Sequence, residues 1–232
     1  MADSSKPKSG GGCLGKLVSL ILLVATCVLG AAIFFISQPQ DLTDIGGYGP
    51  ASKAAAPRDL KSVLKSALDR GYPVAITETE INQWLAKTLT AKQGGALASQ
   101  VSLERVWVRL ADGHAEVIME RSLMGRPFTV SMFVKIEQTQ GGRGVRTEIH
   151  RHGGPYHESL PKPMRGGRFG RLVVPQGFLI LVMPAYAKLA EIYREEIRLA
   201  FEEMARIRIE PDRLLLESRE PSRDPSLLPQ TF

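Results

Sequence analysis

The sequence predicts an α+β protein: an N-terminal single transmembrane helix, then a curved antiparallel sheet packed on amphipathic helices, including one long C-terminal helix. Three observations carry this expectation. Between Leu17 and Ile36 stand 20 consecutive residues without a charge. From about Gln100 the apolar period changes from the 3.6 of a helix to the 2 of a strand, and four strand-like segments with short links follow. After them come a second uncharged run and a long stripe of helically spaced apolar residues, as an α+β layer arrangement requires.

The first run, LVSLILLVATCVLGAAIFFI, is long enough to cross a hydrocarbon core of roughly 30 Å at about 1.5 Å per residue. It is longer than the apolar region of a typical signal peptide, and FFISQPQD offers no small-x-small cleavage site. Lys6, Lys8 and Lys16 precede it, whereas Asp41 and Asp44 are the first charges after it. The positive-inside bias therefore predicts a cytosolic N-terminus (1–13), a span over 14–37 in membrane lipid, and an extracytoplasmic remainder. Both cysteines, Cys13 and Cys27, fall at or inside the membrane, so the exported part must be held by its core without disulfides. Cys13 in GGGCLGK reads either as an acylation site or as a small residue at the edge of the span.

Residues 38–57, rich in Gly, Pro and Ala without apolar period, predict a flexible linker. The folded domain is expected over 58–217. Leu60, Val63, Leu64, Ala67 and Leu68 recur at helical spacing, with Gly71 as the stop. In ITETEINQWL, Thr77 and Glu80 have the spacing of a capping box. Ile81, Trp84, Leu85 and Leu89 then line one face, Glu78, Gln83 and Lys87 lie away from it, and Gly94-Gly95 ends the helix. Asn82, the only asparagine in the chain, sits beside this seam, where its amide can fix a neighbouring strand or loop.

VSLERVWVRL, Asp112-Gly113 and HAEVIMER form a hairpin pattern. In PFTVSMFVKIE, Phe128, Val130, Met132, Val134 and Ile136 share a face, and VRTEIHRH supplies the fourth strand. The first strand is apolar on both sides, which predicts cover on part of the second face. The end of the domain reads as helical again: residues 172–187 are uncharged but short for a second span and interrupted by Gly177 and Pro184. Leu189, Tyr193, Ile197, Ala200, Phe201 and Met204 predict the long helix; RIRIE and RLLLES, parted by Pro211-Asp212, predict closing strands. A Pro-rich tail over 218–232 is expected to be disordered.

An anchor, a loop, a capped helix of the form T-x-x-E-x-N-x-x-L, an antiparallel meander, a G-x-L-x-x-P step at Gly170, Leu172 and Pro175, and a long helix follow in that order. This layout resembles the YpmS-type bacterial membrane-anchored proteins and, more remotely, tubular lipid-binding domains. The resemblance spans roughly residues 15–217, and it implies handling of lipid or another apolar envelope molecule. The segment HRHGGPYHESLP and the Pro-rich tail depart from that group's pattern.

The expected function is therefore non-catalytic binding of a lipid or other amphiphile in the cell envelope, at the plasma (inner) membrane of a bacterial-type cell. Arg165, Arg168 and Arg171 are expected to hold an anionic headgroup, with Phe178, Ile180, Leu181 and Met183 lining the apolar part. Met119 and Met132 would add adaptable lining, as would Met183. The basic segment 143–171 would meet anionic lipid or an envelope polymer, not nucleic acid. The other reading is an assembly or scaffold subunit whose segment 172–187 and C-terminal tail meet envelope protein partners. His150, His152 and His157 could hold zinc, but no HExxH, CxxC or nucleophile-elbow motif accompanies them, and no cofactor fingerprint occurs. Neither metal nor catalysis is expected.

Overall fold

The computed structural model describes residues 13–49, 58–92, 101–123, 125–141, 144–151 and 166–218. The expected tail beyond 218, Gly94-Gly95, Arg143, His152, His157, Lys162, Arg165 and residues 50–57 of the expected linker lie outside these. The chain is α+β with an N-terminal apolar helix and antiparallel sheets. Helix α1, Cys13–Ser37, contains the stretch Leu14–Ser37, which is long and apolar enough to cross a membrane, and none of that stretch is buried in the protein.

Helix α2 (Leu60–Arg70) begins at Asp59, whose carboxylate accepts from the Lys61 amide, and ends at Gly71 in the left-handed conformation, as expected. Strand β1 (Val74–Thr77) runs straight into helix α3 (Glu78–Lys92). The capping box forms: the Thr77 amide donates to Glu80 Oε2 at 2.9 Å and the Glu80 amide to Thr77 Oγ1 at 3.2 Å.

Two carboxylates in this turn titrate in opposite senses. Burial pushes the Glu80 carboxyl up, but the Thr77 amide, the Thr77 hydroxyl and Arg58 together hold it below its ordinary 4.5. Its folded value is depressed, so its contribution is present above that pH and lost as pH falls through the folded value. Burial raises Glu78, whose two backbone donors offset this only in part; its contribution is lost as pH rises through its folded value. Glu80→Gln is therefore expected to flatten the loss of stability that the wild type suffers as pH falls from neutrality through the ordinary 4.5 and on through the lower folded value. Urea midpoints measured across that range check this.

Strands β2 (Val101–Ala111), β3 (His114–Leu123), β4 (Arg126–Gly141) and β5 (Gly144–Arg151) form the expected antiparallel meander. Gly113, at φ 70°, completes the Asp112-Gly113 turn. Two further short strands, β6 (Gly167–Phe169) and β7 (Leu172–Val174), extend the sheet from the near half of β4, while β5 pairs with its far half. At Gly167 any Cβ would lie 1.9 Å from the Ser131 carbonyl oxygen, so only glycine lets β6 lie against β4. Strands β8 (Met204–Glu210) and β9 (Arg213–Ser218) pair about Pro211-Asp212 and, with β1, make a second, three-stranded sheet.

Three expectations require correction. The run 172–187 is not helical throughout: β7 is followed by Pro175, a 3-10 helix over Gln176–Leu181, and then helix α4 (Met183–Ile192). The long C-terminal helix is divided into α4, a break at Tyr193, α5 (Arg194–Ile197) and a π-helical turn over Arg198–Glu202, and α1 is the longest helix. The wider turn brings Leu199 inward beside Ala200, and Met204 has already entered β8.

The third correction concerns the linker. Its first part is folded onto the sheet: Leu42 and Ile45 are buried with Trp107 and Ile118, and Tyr48 packs on Trp107 at 5.2 Å between ring centres. This is the cover that the two-sided apolarity of β2 required. Gln40 donates its amide to Thr129 Oγ1 at 2.9 Å and its Nε2 to Ser131 Oγ at 3.2 Å, so these two buried hydroxyls of β4 are engaged.

The same segment is locked from the other side by α3. Asn82, fully buried, donates to the carbonyls of Gly46 and Val108 at 2.8 Å each and accepts the Val108 amide at 2.7 Å. Glu78, expected to face away, is instead 3% exposed and accepts the amides of Leu110 at 2.6 Å and Gly46 at 2.7 Å. β2 is the edge of its sheet, and these two side chains, one helical turn apart, satisfy the edge groups that a further strand would have taken.

Candidate functional site: an apolar cavity and a polar pocket on opposite faces of the sheet

Strand alternation gives the sheet two faces with different contents. On one face, Val106, Val108 and Leu110 of β2, Ala115 and Val117 of β3, and Met132, Val134 and Ile136 of β4 line a cavity of about 300 Å³. Its other walls are Trp84 and Leu85 of α3, Leu189 of α4, Ile197 of α5 and Phe201 of the π-helical turn. Among the described lining residues Glu196 is the one that carries a charge. The cavity reaches the surface beside β5, where Ile149 lines it and is 48% exposed.

The two tyrosines in this wall are already engaged. Tyr186 Oη lies 3.0 Å from the Val117 carbonyl and 3.1 Å from that of Val130, straddling the β3–β4 ladder, and burial pushes its phenol well above 10.0. Tyr193 meets Thr88 Oγ1 at 3.2 Å and stacks on Trp84 at 5.3 Å between ring centres; burial raises its phenol too, against the Thr88 hydrogen bond. The surface left to a guest is hydrocarbon. It suits an alkyl chain, for which burial is worth about 0.8 kcal/mol per CH₂, and it offers little to position a polar reacting group.

The opposite face carries a polar pocket of Gln40, Asp41, Asp44, Arg109, Arg168 and Arg171. At its floor Glu116, 3% exposed, accepts from Arg109 Nη1 at 2.8 Å, and Arg109 Nη2 reaches Asp44 at 2.7 Å. Arg168 Nε stands 3.6 Å from Glu116 Oε1, close enough for an ion pair but too far for a hydrogen bond, and its guanidinium lies 5.6 Å from the Phe133 ring centre. Gln40 Oε1, Arg109 Nε, Glu116 Oε1 and Arg168 Nε are buried without hydrogen-bond partners. The three arginines face three carboxylates, Asp41, Asp44 and Glu116, so the pocket is balanced in charge. Asp41, at the rim, is held below the usual carboxylate range by the Thr43 hydroxyl and amide, with Arg171 and Arg109 assisting.

The expected site residues are therefore not brought together. Arg168 and Arg171 share the polar pocket, on the face away from the cavity, and Arg165 lies outside the described residues. None of Phe178, Ile180, Leu181 and Met183 lines the cavity. Phe178, Ile180 and Leu181 are 56%, 72% and 73% exposed, while Leu179 between them is fully buried. Of the methionines, Met132 lines the cavity and Met119 is core. Met132, expected as adaptable lining, shares that wall with Val134 and Ile136 on the alternating face of β4.

Arg171 was expected to hold an anionic headgroup, but the end of α1 occupies the Gly170-Arg171 turn. The Arg171 amide donates to the Phe35 carbonyl at 3.0 Å, and a Cβ at Gly170 (φ +55°) would lie 2.3 Å from the Ile36 carbonyl oxygen. The turn thus caps the carbonyl end of a helix, which carries partial negative charge and disfavours an anion. His150 lies 3.2 Å from Glu148 and 3.9 Å from Glu137, and no three metal-ligating side chains come together among the described residues. No protein-family model matches the chain, and no curated protein sequence is significantly similar to it.

Proposed function

We propose that this chain is a single-pass membrane protein whose extracytoplasmic domain holds the apolar part of a lipid, or another apolar envelope molecule, in the cavity between sheet and helices, without catalysis. The observation that carries this reading is the cavity itself: about 300 Å³, walled by aliphatic and aromatic side chains and open beside Ile149. That volume is at the small end of the range for ligand sites, so a single alkyl chain suits it better than a whole diacyl lipid. The apolar length of α1 and the three lysines before it support the orientation. Likeness to YpmS-type proteins and to tubular lipid-binding domains supports the bacterial, inner-membrane setting and the class of ligand. With Arg168 and Arg171 on the opposite face, the ligand's polar end leaves by the mouth near Ile149 and Glu196.

The full-length protein, purified in mild detergent and released from it in a native mass spectrometer, is expected to retain a discrete lipid-like adduct. Val117→Trp, which puts an indole into the cavity, is expected to abolish the adduct while leaving the folded charge-state distribution unchanged. A wild-type spectrum free of adduct would sink the reading. The second reading, an assembly subunit of an envelope complex, is favoured by the exposed Phe178, Ile180 and Leu181. It predicts a bare cavity and a protein partner crosslinked through that segment.

A further inference from the structure

We infer that the exposed apolar patch of Val173, Phe178, Ile180 and Leu181 is a second membrane contact, seated in the headgroup–acyl boundary of the bilayer that α1 crosses. The inference goes beyond the cavity reading and does not depend on what the cavity holds.

A 3-10 helix repeats every three residues, so Phe178 and Leu181 eclipse on one face, with Ile180 flanking them. Leu179, fully buried, fixes that face outward: the segment cannot turn its apolar side in without pulling Leu179 out of the core. A folded domain gains nothing by exposing three large apolar side chains together to water.

The occupant follows from continuity with the anchor. β7, which carries Val173 at 43% exposure, lies against the end of α1. The turn before β7 is fastened to that end through the Arg171–Phe35 hydrogen bond and the close approach at Gly170. The chain leaving α1 is packed on the sheet from Gln40 onward, so no slack tether lifts the domain away. The patch begins one three-residue strand, on the order of 10 Å, from the point where α1 ends. The interfacial layer of a bilayer is roughly 5–8 Å deep on each side, and apolar faces bury about 5–10 Å into the headgroup–acyl boundary.

The test uses the full-length chain with Cys13→Ser and Cys27→Ser, carrying Leu181→Cys labelled with a polarity-sensitive fluorophore, in phosphatidylcholine–phosphatidylglycerol vesicles. The expected result is blue-shifted emission, quenched by lipids bearing a nitroxide near the headgroup end of the acyl chain and insensitive to iodide in the water. The same label at Asp69→Cys, exposed on α2, is expected to respond the opposite way. Adding Phe178→Asp and Ile180→Asp is expected to return the Leu181→Cys reporter to iodide. Quenching by iodide alone would overturn the inference. Shielding from both quenchers would overturn it too, because the patch would then be covered by protein.

Discussion

Replacing Asn82 with leucine is expected to lower the stability of the domain by on the order of 4 kcal/mol, although the two side chains have the same number and branching of heavy atoms. The amide makes three buried hydrogen bonds, to the carbonyls of Gly46 and Val108 and from the amide of Val108. Leucine leaves all three backbone groups without partners, each costing about 1–3 kcal/mol when water cannot reach it, with relaxation at the β2 edge recovering part of the sum. Asn82→Asp keeps one acceptor but turns an anion toward two carbonyls, so it is expected to be no better tolerated. The β2 edge would also lose its cover, and an uncovered edge invites pairing with other chains. Urea unfolding followed by the fluorescence of Trp84 and Trp107 measures the loss, and light scattering on refolding measures the second effect. A change within about 0.5 kcal/mol of wild type, the scale of an ordinary surface substitution, would refute this account of the clamp.

Glu116→Leu is expected to cost about 3 kcal/mol, the lower end of what breaking a buried ion pair costs. Arg109 loses its buried hydrogen-bonded partner, keeping those at Asp41 and Asp44, and Arg168 its nearest carboxylate, but both are partly exposed (20% and 26%) and can turn toward water. Asp44→Asn, by contrast, removes a partner that is 67% exposed, and a loss of no more than about 1 kcal/mol is expected. The pair of substitutions separates the pocket's buried floor from its solvated rim. Since Arg109 also reaches the Asp41 carbonyl and the Asp44 carboxylate, Glu116→Leu is further expected to loosen segment 38–49. Hydrogen exchange at the Gly46 and Tyr48 amides reads that loosening without reference to global stability.

The elements legible in the sequence were those whose signal is local. The capping box, the Gly71 stop, the Asp112-Gly113 turn and the alternating face of β4 each place a residue type where its own backbone geometry demands it. Trp107 within a strand apolar on both sides correctly required cover. Its source was not legible, because Leu42 and Ile45 are two apolar residues three apart among glycines and aspartates, too few to make a period. β6 and β7 have three residues each, shorter than any alternation that could be recognised. Glu78 read as a solvated helix residue because its role comes from strand β2, which reaches α3 only in three dimensions.

The site was less legible than the fold, for the same reason. An uncharged run such as 172–187 says that residues are apolar, not which of them turn inward. In the 3-10 helix the step is three residues, so Leu179 goes in and Phe178, Ile180 and Leu181 go out. The cavity wall is assembled from both sheets and four helices, no one of which contains it. Arg168 stands between Gly167 and Phe169 in sequence, yet strand alternation puts it on the far face of the sheet from the cavity.

The central claim is that an apolar chain occupies the cavity, and photo-crosslinking in intact membranes tests it most directly. Cells expressing the full-length protein would be fed a fatty acid carrying a diazirine, irradiated, and the adducts mapped by peptide mass spectrometry. The expected labels fall on the inward face of the sheet and its opposite wall, at Val117, Met132, Val134 and Ile197, and disappear in Val117→Trp. Labels confined to α1 and to Phe178, Ile180 and Leu181, with none on the cavity wall, would contradict the claim and leave the domain a membrane-seated scaffold.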